Sequence, residues 1–108
     1  MNKGSYQVFW TLTAQQDLRK IIAYIATDSE NQARKIYFAI KQKAGNLQQM
    51  PLQGRIVPEL SYYGILIYRE LIYQPWRIIY RTEDNKVWVL AVIDSRRNIE
   101  DILLDRFI

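Results

Sequence analysis

The residues of this chain best suited to chemistry are arginines in its last third, on three short segments predicted to be β-strands. They are Arg69, Arg77, Arg81, Arg96 and Arg97. A guanidinium group is planar and carries five N–H donors, so two or three of them around a pocket can hold a phosphate through paired hydrogen bonds. The alternative for each arginine is an ion pair with a nearby carboxylate, such as Glu70, Glu83 or Asp94.

Strand alternation separates these arginines. Successive side chains point to opposite faces of a strand, so Arg77 and Arg81 share one face, and the apolar side chains between them share the other. We expect the apolar face to pack under helices, which leaves Arg77 on the more open face as a phosphate ligand. Arg81 lies beside the acidic Glu83-Asp84 turn, where we expect an ion pair instead. For Arg96 and Arg97, at the end of the last strand, both interpretations stay open.

Glu59 is the carboxylate that could complete a catalytic site. Beside an arginine pocket, it could remove a proton from a ribose 2′-hydroxyl while the arginines stabilise the charge on the phosphate. Such an arrangement would cleave RNA without a metal ion. The alternative is that Glu59, in a predicted loop, is only solvated.

The composition excludes several other chemistries. The sequence has no histidine and no cysteine, which rules out a histidine base, a serine triad, a thiol nucleophile and a zinc–thiolate site. It also lacks a glycine-rich phosphate loop and metal-site spacing of carboxylates, so we expect no cofactor and no metal. The net charge of +4 favours an anionic partner. No apolar run reaches the length of a membrane span, and we expect a cytoplasmic protein without membrane contact.

The apolar pattern predicts the elements that position these residues. A strand is expected at residues 6–12, and Thr13 with Gln16 forms a capping-box pattern that starts a first helix. Asp28-Ser29 can cap a second helix, which runs to about Gln49. We therefore expect one strand and two helices before the arginine-bearing strands.

Three further strands are expected near residues 66–73, 76–82 and 86–93, with turns at Gln74-Pro75 and at residues 83–85. Tight turns make these strands an antiparallel meander, and the last strand, apolar on both faces, should lie centrally. Asn98 with Asp101 then caps a last helix. The order β-α-α-β-β-β-α predicts one α+β domain over residues 1–108: a small antiparallel sheet, two N-terminal helices packed on one face and a short C-terminal helix.

Five segments, in the order of these elements, resemble the RelE/ParE family. They are Pro51-x-x-Gly54-Arg55, Pro58-Glu59-Leu60, Arg69-Glu-Leu-Ile, Trp76-Arg-Ile-Ile-Tyr80-Arg81 and Val89-Leu-Ala-Val-Ile-Asp-Ser-Arg-Arg97. The resemblance covers nearly the whole chain. Members of this family are the toxins of type II toxin–antitoxin modules, also called plasmid stabilisation proteins. The resemblance therefore implies a RelE/ParE-like fold and a small basic toxin that inhibits growth until a cognate antitoxin neutralises it.

The resemblance implies one of two activities. RelE-like members are mRNA interferases, which enter the ribosomal A site and cleave messenger RNA; ParE-like members inhibit DNA gyrase and are not enzymes. The partners would be the antitoxin, in a heterotetramer or larger complex, and either the ribosome with its mRNA or gyrase. A third alternative is a basic RNA- or protein-binding module without toxicity.

Residue by residue, the resemblance implies roles for the charged side chains. Arg77 matches the strand arginine that contacts the scissile phosphate in the ribonuclease branch, and Arg97 matches a second phosphate-stabilising arginine. Glu59 resembles the carboxylate base of one ribonuclease subgroup. The residues expected to bind substrate or partner are Arg55, Arg69 and Arg96. The chain departs from the family pattern at Asp94, where many members have histidine, and at Leu103, near which a catalytic tyrosine or histidine would lie. The sequence leaves both targets open.

Overall fold

The protein is built around a five-stranded sheet, described here over residues 5–108 from a computed structural model. The strands are β1 (Gln7–Trp10), β2 (Arg55–Ile56), β3 (Arg69–Tyr73), β4 (Trp76–Glu83) and β5 (Lys86–Asp94). Their spatial order is β1-β5-β4-β3-β2. Strands β3, β4 and β5 form the predicted antiparallel meander, with turns at Gln74-Pro75 and Asp84-Asn85. The strand expected to lie centrally, β5, lies inside the sheet between β1 and β4, although the middle strand of the five is β4.

Helices flank this sheet on both sides. They are α1 (Leu12–Ala26), α2 (Glu30–Gly45), α3 (Pro58–Ser61) and α4 (Ile99–Phe107), with a 3₁₀ turn at Asn46–Gln48. The predicted α+β class and the order of the main elements are confirmed. One pairing differs from the antiparallel pattern, since β1 runs parallel to β5. Within the described part of the chain, no helix is both long and apolar enough to cross a membrane.

The first helix begins earlier than predicted. Its N-cap is Thr11, whose hydroxyl oxygen accepts a 3.2 Å hydrogen bond from the N–H of Ala14. The N–H of Thr11 donates to the carbonyl of Val89 on β5 at 3.0 Å, and β1 ends just before it, at Trp10. Because the chain leaves the sheet here, the helix starts inside the segment predicted to be extended, and Thr13 lies within α1.

The other helix termini follow the sequence more closely. Ser29 caps α2, as predicted, by accepting a 3.1 Å hydrogen bond from a backbone N–H of the first turn. Asn98 precedes α4, and its side-chain amide donates to the carboxylate of Asp101 at 2.7 Å. The second helix ends at Gly45 rather than near Gln49, because the 3₁₀ turn takes the following residues.

Both faces of the sheet are covered. On one face, α1 and α2 pack over the apolar side of β4, including the fully buried Tyr80, as strand alternation predicted. On the other face, α3 and α4 cover Ile79 with Leu60 and Leu103. Arg77 shares this second face and is only 5% exposed. The expectation that Arg77 lies on an open face is therefore wrong, because two short helices close that face.

A single carboxylate, that of Asp17, ties α4 to α1 and to the sheet. Two nitrogens of Arg106 on α4 donate to its two oxygens, at 2.7 and 2.9 Å. The N–H of Val92 on β5 donates to the same carboxylate at 3.0 Å. The pairing of β1 with β5 ends at Trp10, so Asp17 supplies the acceptor that a longer β1 would otherwise provide. Hydrogen bonds to a charged group are stronger than neutral ones, and these fix the position of α4.

Candidate functional site

Arg77 lies at the centre of a buried cluster of charged side chains. Its Nη1 and Nη2 atoms donate to the two carboxylate oxygens of Glu59, at 2.9 and 2.7 Å. Its Nε and Nη2 atoms donate to the carboxylate of Glu70, at 2.7 and 2.9 Å. Every nitrogen of this guanidinium group therefore has a carboxylate partner. Both contacts are bidentate, which is the strongest form of an arginine–carboxylate pair.

The cluster continues to the surface through Arg55. The Nε atom of Arg55 donates to Glu70 at 2.6 Å, so the charges alternate in sign along Arg55, Glu70, Arg77 and Glu59. The side chain of Glu70 is fully buried, whereas those of Arg55 and Glu59 are 59% and 24% exposed. The positive and negative groups compensate one another, which is the condition for tolerating charge in a protein interior.

The sheet register and α3 bring this cluster together. The tight turn between β3 and β4 sets a register in which Arg77 lies opposite Ile72. Residues two apart on a strand share a face, so Glu70 points to the same side as Arg77. Arg55 on β2 pairs directly with Glu70. Glu59 comes from the first turn of α3, which starts at a proline, a residue favoured at that position.

The ion pairs change the protonation chemistry of Glu59 and Arg77. Hydrogen bonds from Arg77 lower the pKa of Glu59 below its usual 4.5, although partial burial opposes them. Burial alone would lower the pKa of Arg77, but its hydrogen bonds to Glu59 and Glu70 outweigh burial and raise that pKa. Glu59 is therefore a weaker base than a solvated glutamate, and Arg77 stays charged at physiological pH.

The lowered pKa of Glu59 predicts a loss of stability in acid. A carboxyl group whose pKa is lower in the folded state stabilises the fold above its unfolded pKa, and this contribution disappears as the pH falls through the folded pKa. We expect the free energy of unfolding to fall as the pH drops below about 4.5, and to fall less in Glu59→Gln, which cannot titrate there. Urea unfolding of both proteins across this range measures the effect. An identical pH dependence in the two would contradict it.

Arg69 lies on the opposite face of the sheet from Arg77. It pairs in register with Tyr80, and its Nη1 atom donates to the carbonyl of Gly54 at 2.8 Å. The hydroxyl of Tyr80 accepts a 2.9 Å hydrogen bond from the N–H of the same glycine. Arg69 and Tyr80 thus both hold the loop that precedes β2. Because the sheet separates them, Arg69 and Arg77 do not form one phosphate site.

Arg96 and Arg97 line a different feature, a groove of about 450 Å³ between α1, the end of β5 and α4. Arg96 donates twice to Asp94, at 3.0 and 2.7 Å, and these hydrogen bonds lower the pKa of Asp94. Arg97 is exposed and forms no ion pair among residues 5–108. The lining of this groove includes neither Arg77 nor Glu59, so the predicted catalytic residues do not line one pocket.

Arg81 lacks the ion pair expected from its position. It lies opposite Trp88 in the sheet, and its buried Nε atom has no acceptor among the described residues. Glu83 and Asp84 are exposed at the hairpin turn, and across residues 5–108 no carboxylate is in ion-pair contact with Arg81. The expectation of a carboxylate partner for Arg81 is therefore wrong.

The predicted site residues meet only in part. The structure brings together Arg55, Glu59 and Arg77. Glu70 links the two arginines by accepting hydrogen bonds from both. The sequence alone indicates Glu70 only as a carboxylate with which an arginine could pair. The signal that could have placed Glu70 is the tight turn after Tyr73, which fixes the register of β3 and β4. Within the described residues, no group of three or more acidic side chains is arranged to hold a metal ion.

A comparison with protein families decides the class of this chain. The family described as ParE toxin of type II toxin-antitoxin system, parDE, matches residues 8–99. The chain belongs to the ParE toxin family. The match runs from β1 to the start of α4, so it includes the charged cluster and two arginines of the groove, Arg96 and Arg97.

Two solved structures are similar to this ParE-family chain. One is the chromosomal ParDE toxin–antitoxin system of P. aeruginosa, which is 22% identical in sequence and has a TM-score of 0.68. The alignment covers 85% of this chain and 98% of that chain. The other is the RelBE2 toxin–antitoxin complex of Mycobacterium tuberculosis, which is 26% identical in sequence and has a TM-score of 0.63. That alignment covers 86% of this chain and 94% of the other chain. A comparison with curated protein sequences gave no match. The expected RelE/ParE membership and fold are confirmed for this ParE-family chain.

Proposed function

We propose that this chain is a toxin that acts on DNA gyrase by binding, without cleaving RNA, and that a cognate antitoxin neutralises it. The observation that carries this proposal is the buried ion pair of Arg77 and Glu59. The strand arginine and the carboxylate that a ribonuclease would use are hydrogen-bonded to each other at 2.9 and 2.7 Å. Membership of the ParE family supports the same target.

RNA cleavage at Arg77 would require this cluster to open. Each nitrogen of its guanidinium group already donates to Glu59 or Glu70, so a phosphate could bind only after a carboxylate had moved away. Breaking a buried ion pair costs about 3–5 kcal/mol, which the binding of the phosphate would have to offset. Glu59 would also be a poor general base, because its pKa is lowered. Both effects oppose catalysis, and neither opposes the binding of a protein surface.

An antitoxin is the partner that this function requires. The similar structures are of a ParDE toxin–antitoxin system and a RelBE2 toxin–antitoxin complex. This chain has a net charge of +4, and its sheet has edge strands, β1 and β2, that could accept an added strand. We therefore propose a single toxin domain that is held in the cytoplasm in a heterotetramer or larger complex with its antitoxin.

Controlled induction in a bacterium tests the target. We expect plasmid supercoiling to fall and double-strand breaks, an SOS response and filamentation to follow, while the incorporation of labelled methionine is at first unchanged. Coexpression of the protein encoded in the neighbouring reading frame should restore growth. Early arrest of translation with discrete cuts in messenger RNA would contradict the proposal and identify a ribosome-dependent ribonuclease. Normal growth on induction would identify a non-toxic binding module.

The variant Glu59→Gln separates binding from catalysis. Glutamine keeps the shape of the side chain and one acceptor oxygen for Arg77, but it cannot serve as a general base. Loss of a general base reduces a reaction rate by about 10²–10⁴-fold, whereas we expect growth inhibition close to that of the wild-type protein. Growth at graded inducer concentrations measures toxicity, and thermal unfolding checks the fold. A variant that folds normally but has lost its toxicity would count against a binding mechanism.

A further inference from the structure

The groove beside α4 combines an apolar lining with basic side chains. Ile21, Ile25 and Ile102 contribute to its lining, together with Tyr24, which is 79% exposed. Its volume of about 450 Å³ lies within the range of about 300–1,000 Å³ found for ligand-binding clefts. Tyrosine is one of the residues that contribute most to binding energy at protein interfaces. These features are those of a binding surface.

The charges of this groove do not cancel. Among the residues that the structure describes, four basic and two acidic side chains line it, and both carboxylates are already paired with arginines of the groove itself. The remaining cations, Lys20 and Arg97, are exposed and form no ion pair within residues 5–108. Two uncompensated positive charges therefore lie beside the apolar lining.

We propose that this groove binds a short acidic segment of the antitoxin, with carboxylates on Lys20 and Arg97 and an apolar side chain against the isoleucines. Charge complementarity supports this occupant, because the antitoxin must remain bound to a chain of net charge +4. The inference rests on the proposed function, since it assigns a surface to the antitoxin that this function requires.

The lining is less suited to the bases of a nucleic acid. Non-specific binding of single strands relies on aromatic faces on which bases stack. Trp76 is only 8% exposed and lies parallel to Tyr73, with ring centroids 6.3 Å apart. Tyr24 is then the one well-exposed aromatic ring that residues 5–108 contribute to the lining, and the rest of their exposed apolar surface there is aliphatic.

The carboxylates of the groove also favour a peptide. Asp17 and Asp94 lie among the cations of the lining, so a backbone with a negative charge on every nucleotide would bring phosphates close to them. A peptide can instead place its carboxylates only at Lys20 and Arg97. It can place backbone N–H groups or neutral side chains near the two aspartates.

Fluorescence anisotropy with a short labelled peptide of glutamate and leucine tests the groove. We expect this peptide to bind the purified full chain, and Lys20→Gln and Arg97→Gln each to weaken binding by about fivefold, the effect of losing one good exposed ion pair. The matched variants Arg34→Gln and Lys35→Gln remove exposed charges from α2, outside the groove, and should bind like the wild-type protein. A peptide with glutamine in place of glutamate should bind more weakly. Unchanged affinity in both groove variants would overturn the proposal, as would stronger binding of oligothymidine at the same site.

Coexpression distinguishes the antitoxin from the cellular target. At equal toxin expression, the double variant Lys20→Gln/Arg97→Gln should require more antitoxin than the wild-type protein for growth to recover. Loss of toxicity with undiminished antitoxin binding would assign the groove to the target and overturn the assignment to the antitoxin. If the wild-type toxin leaves gyrase unaffected while the peptide and coexpression results hold, the gyrase proposal fails and the groove assignment stands.

Discussion

Replacing Arg77 with methionine should lower the free energy of unfolding by about 3–5 kcal/mol, the cost of breaking a buried ion pair by removing one partner. Methionine has nearly the length of the arginine stem, so it preserves the packing around the stem and removes the guanidinium group. The carboxylate of Glu70, whose side chain has no solvent exposure, would keep only Arg55. Glu59 would lose its bidentate partner. Urea unfolding of the purified chain measures the change.

Two companion variants show whether the charge is the cause. In the double variant Arg77→Met/Glu70→Leu, both buried charges are gone, and the remaining Arg55 and Glu59 side chains reach solvent. Replacing a buried ion pair by apolar groups is often close to neutral, so we expect the double variant to be more stable than the single one. Arg96→Met breaks an exposed ion pair and should change stability little. A single variant as stable as the wild-type protein would show that the cluster does not hold β2, β3, β4 and α3 together.

Replacing Gly54 with alanine should have the second large effect, a loss of about 3 kcal/mol. A Cβ atom at this position would lie 2.8 Å from two atoms of the Tyr80 ring and hydroxyl, and closer still to the backbone oxygen of Glu70. Overpacking of this kind costs about 1–3 kcal/mol, and a buried donor left unpaired costs about as much again. That donor is the N–H of Gly54, which is bonded to the hydroxyl of the fully buried Tyr80.

Gly45 provides the matched control for this substitution. It lies at the end of α2 with helical angles, φ −61° and ψ −29°, and a Cβ atom there would meet no described residue within 4 Å. Alanine restricts the unfolded chain, so Gly45→Ala should stabilise the fold by about 0.4–1 kcal/mol. Thermal unfolding of the two variants should shift in opposite directions. A loss of stability in Gly45→Ala equal to that in Gly54→Ala would contradict this account.

The faces of the strands could be predicted from the sequence, because alternation is a local property. It correctly put Tyr80 under α1 and α2 and Arg77 on the opposite side. The burial of Arg77 could not be predicted in the same way. That burial depends on α3, which supplies Glu59 as a partner for Arg77. Because α3 has only four residues, the sequence there is too short to show a helical period.

The groove could not be predicted from the sequence for a different reason. Its shape depends on where α4 docks, and α4 is held by the hydrogen bonds between Asp17 and Arg106, which are 89 residues apart. No periodicity or spacing reports such a contact. The placement of Arg69 and Arg77 on opposite faces of the sheet could have been predicted, because the tight turn between β3 and β4 fixes the register of these strands.

The most direct test of the central claim is a supercoiling assay with purified DNA gyrase and the purified chain, run beside an mRNA cleavage assay on programmed ribosomes. We predict that the wild-type protein and Glu59→Gln inhibit supercoiling equally and that neither cuts ribosome-bound messenger RNA. Ribosome-dependent cuts that disappear in Glu59→Gln, with supercoiling unaffected by the wild-type protein, would contradict this account and make the Arg77–Glu59 pair a catalytic site.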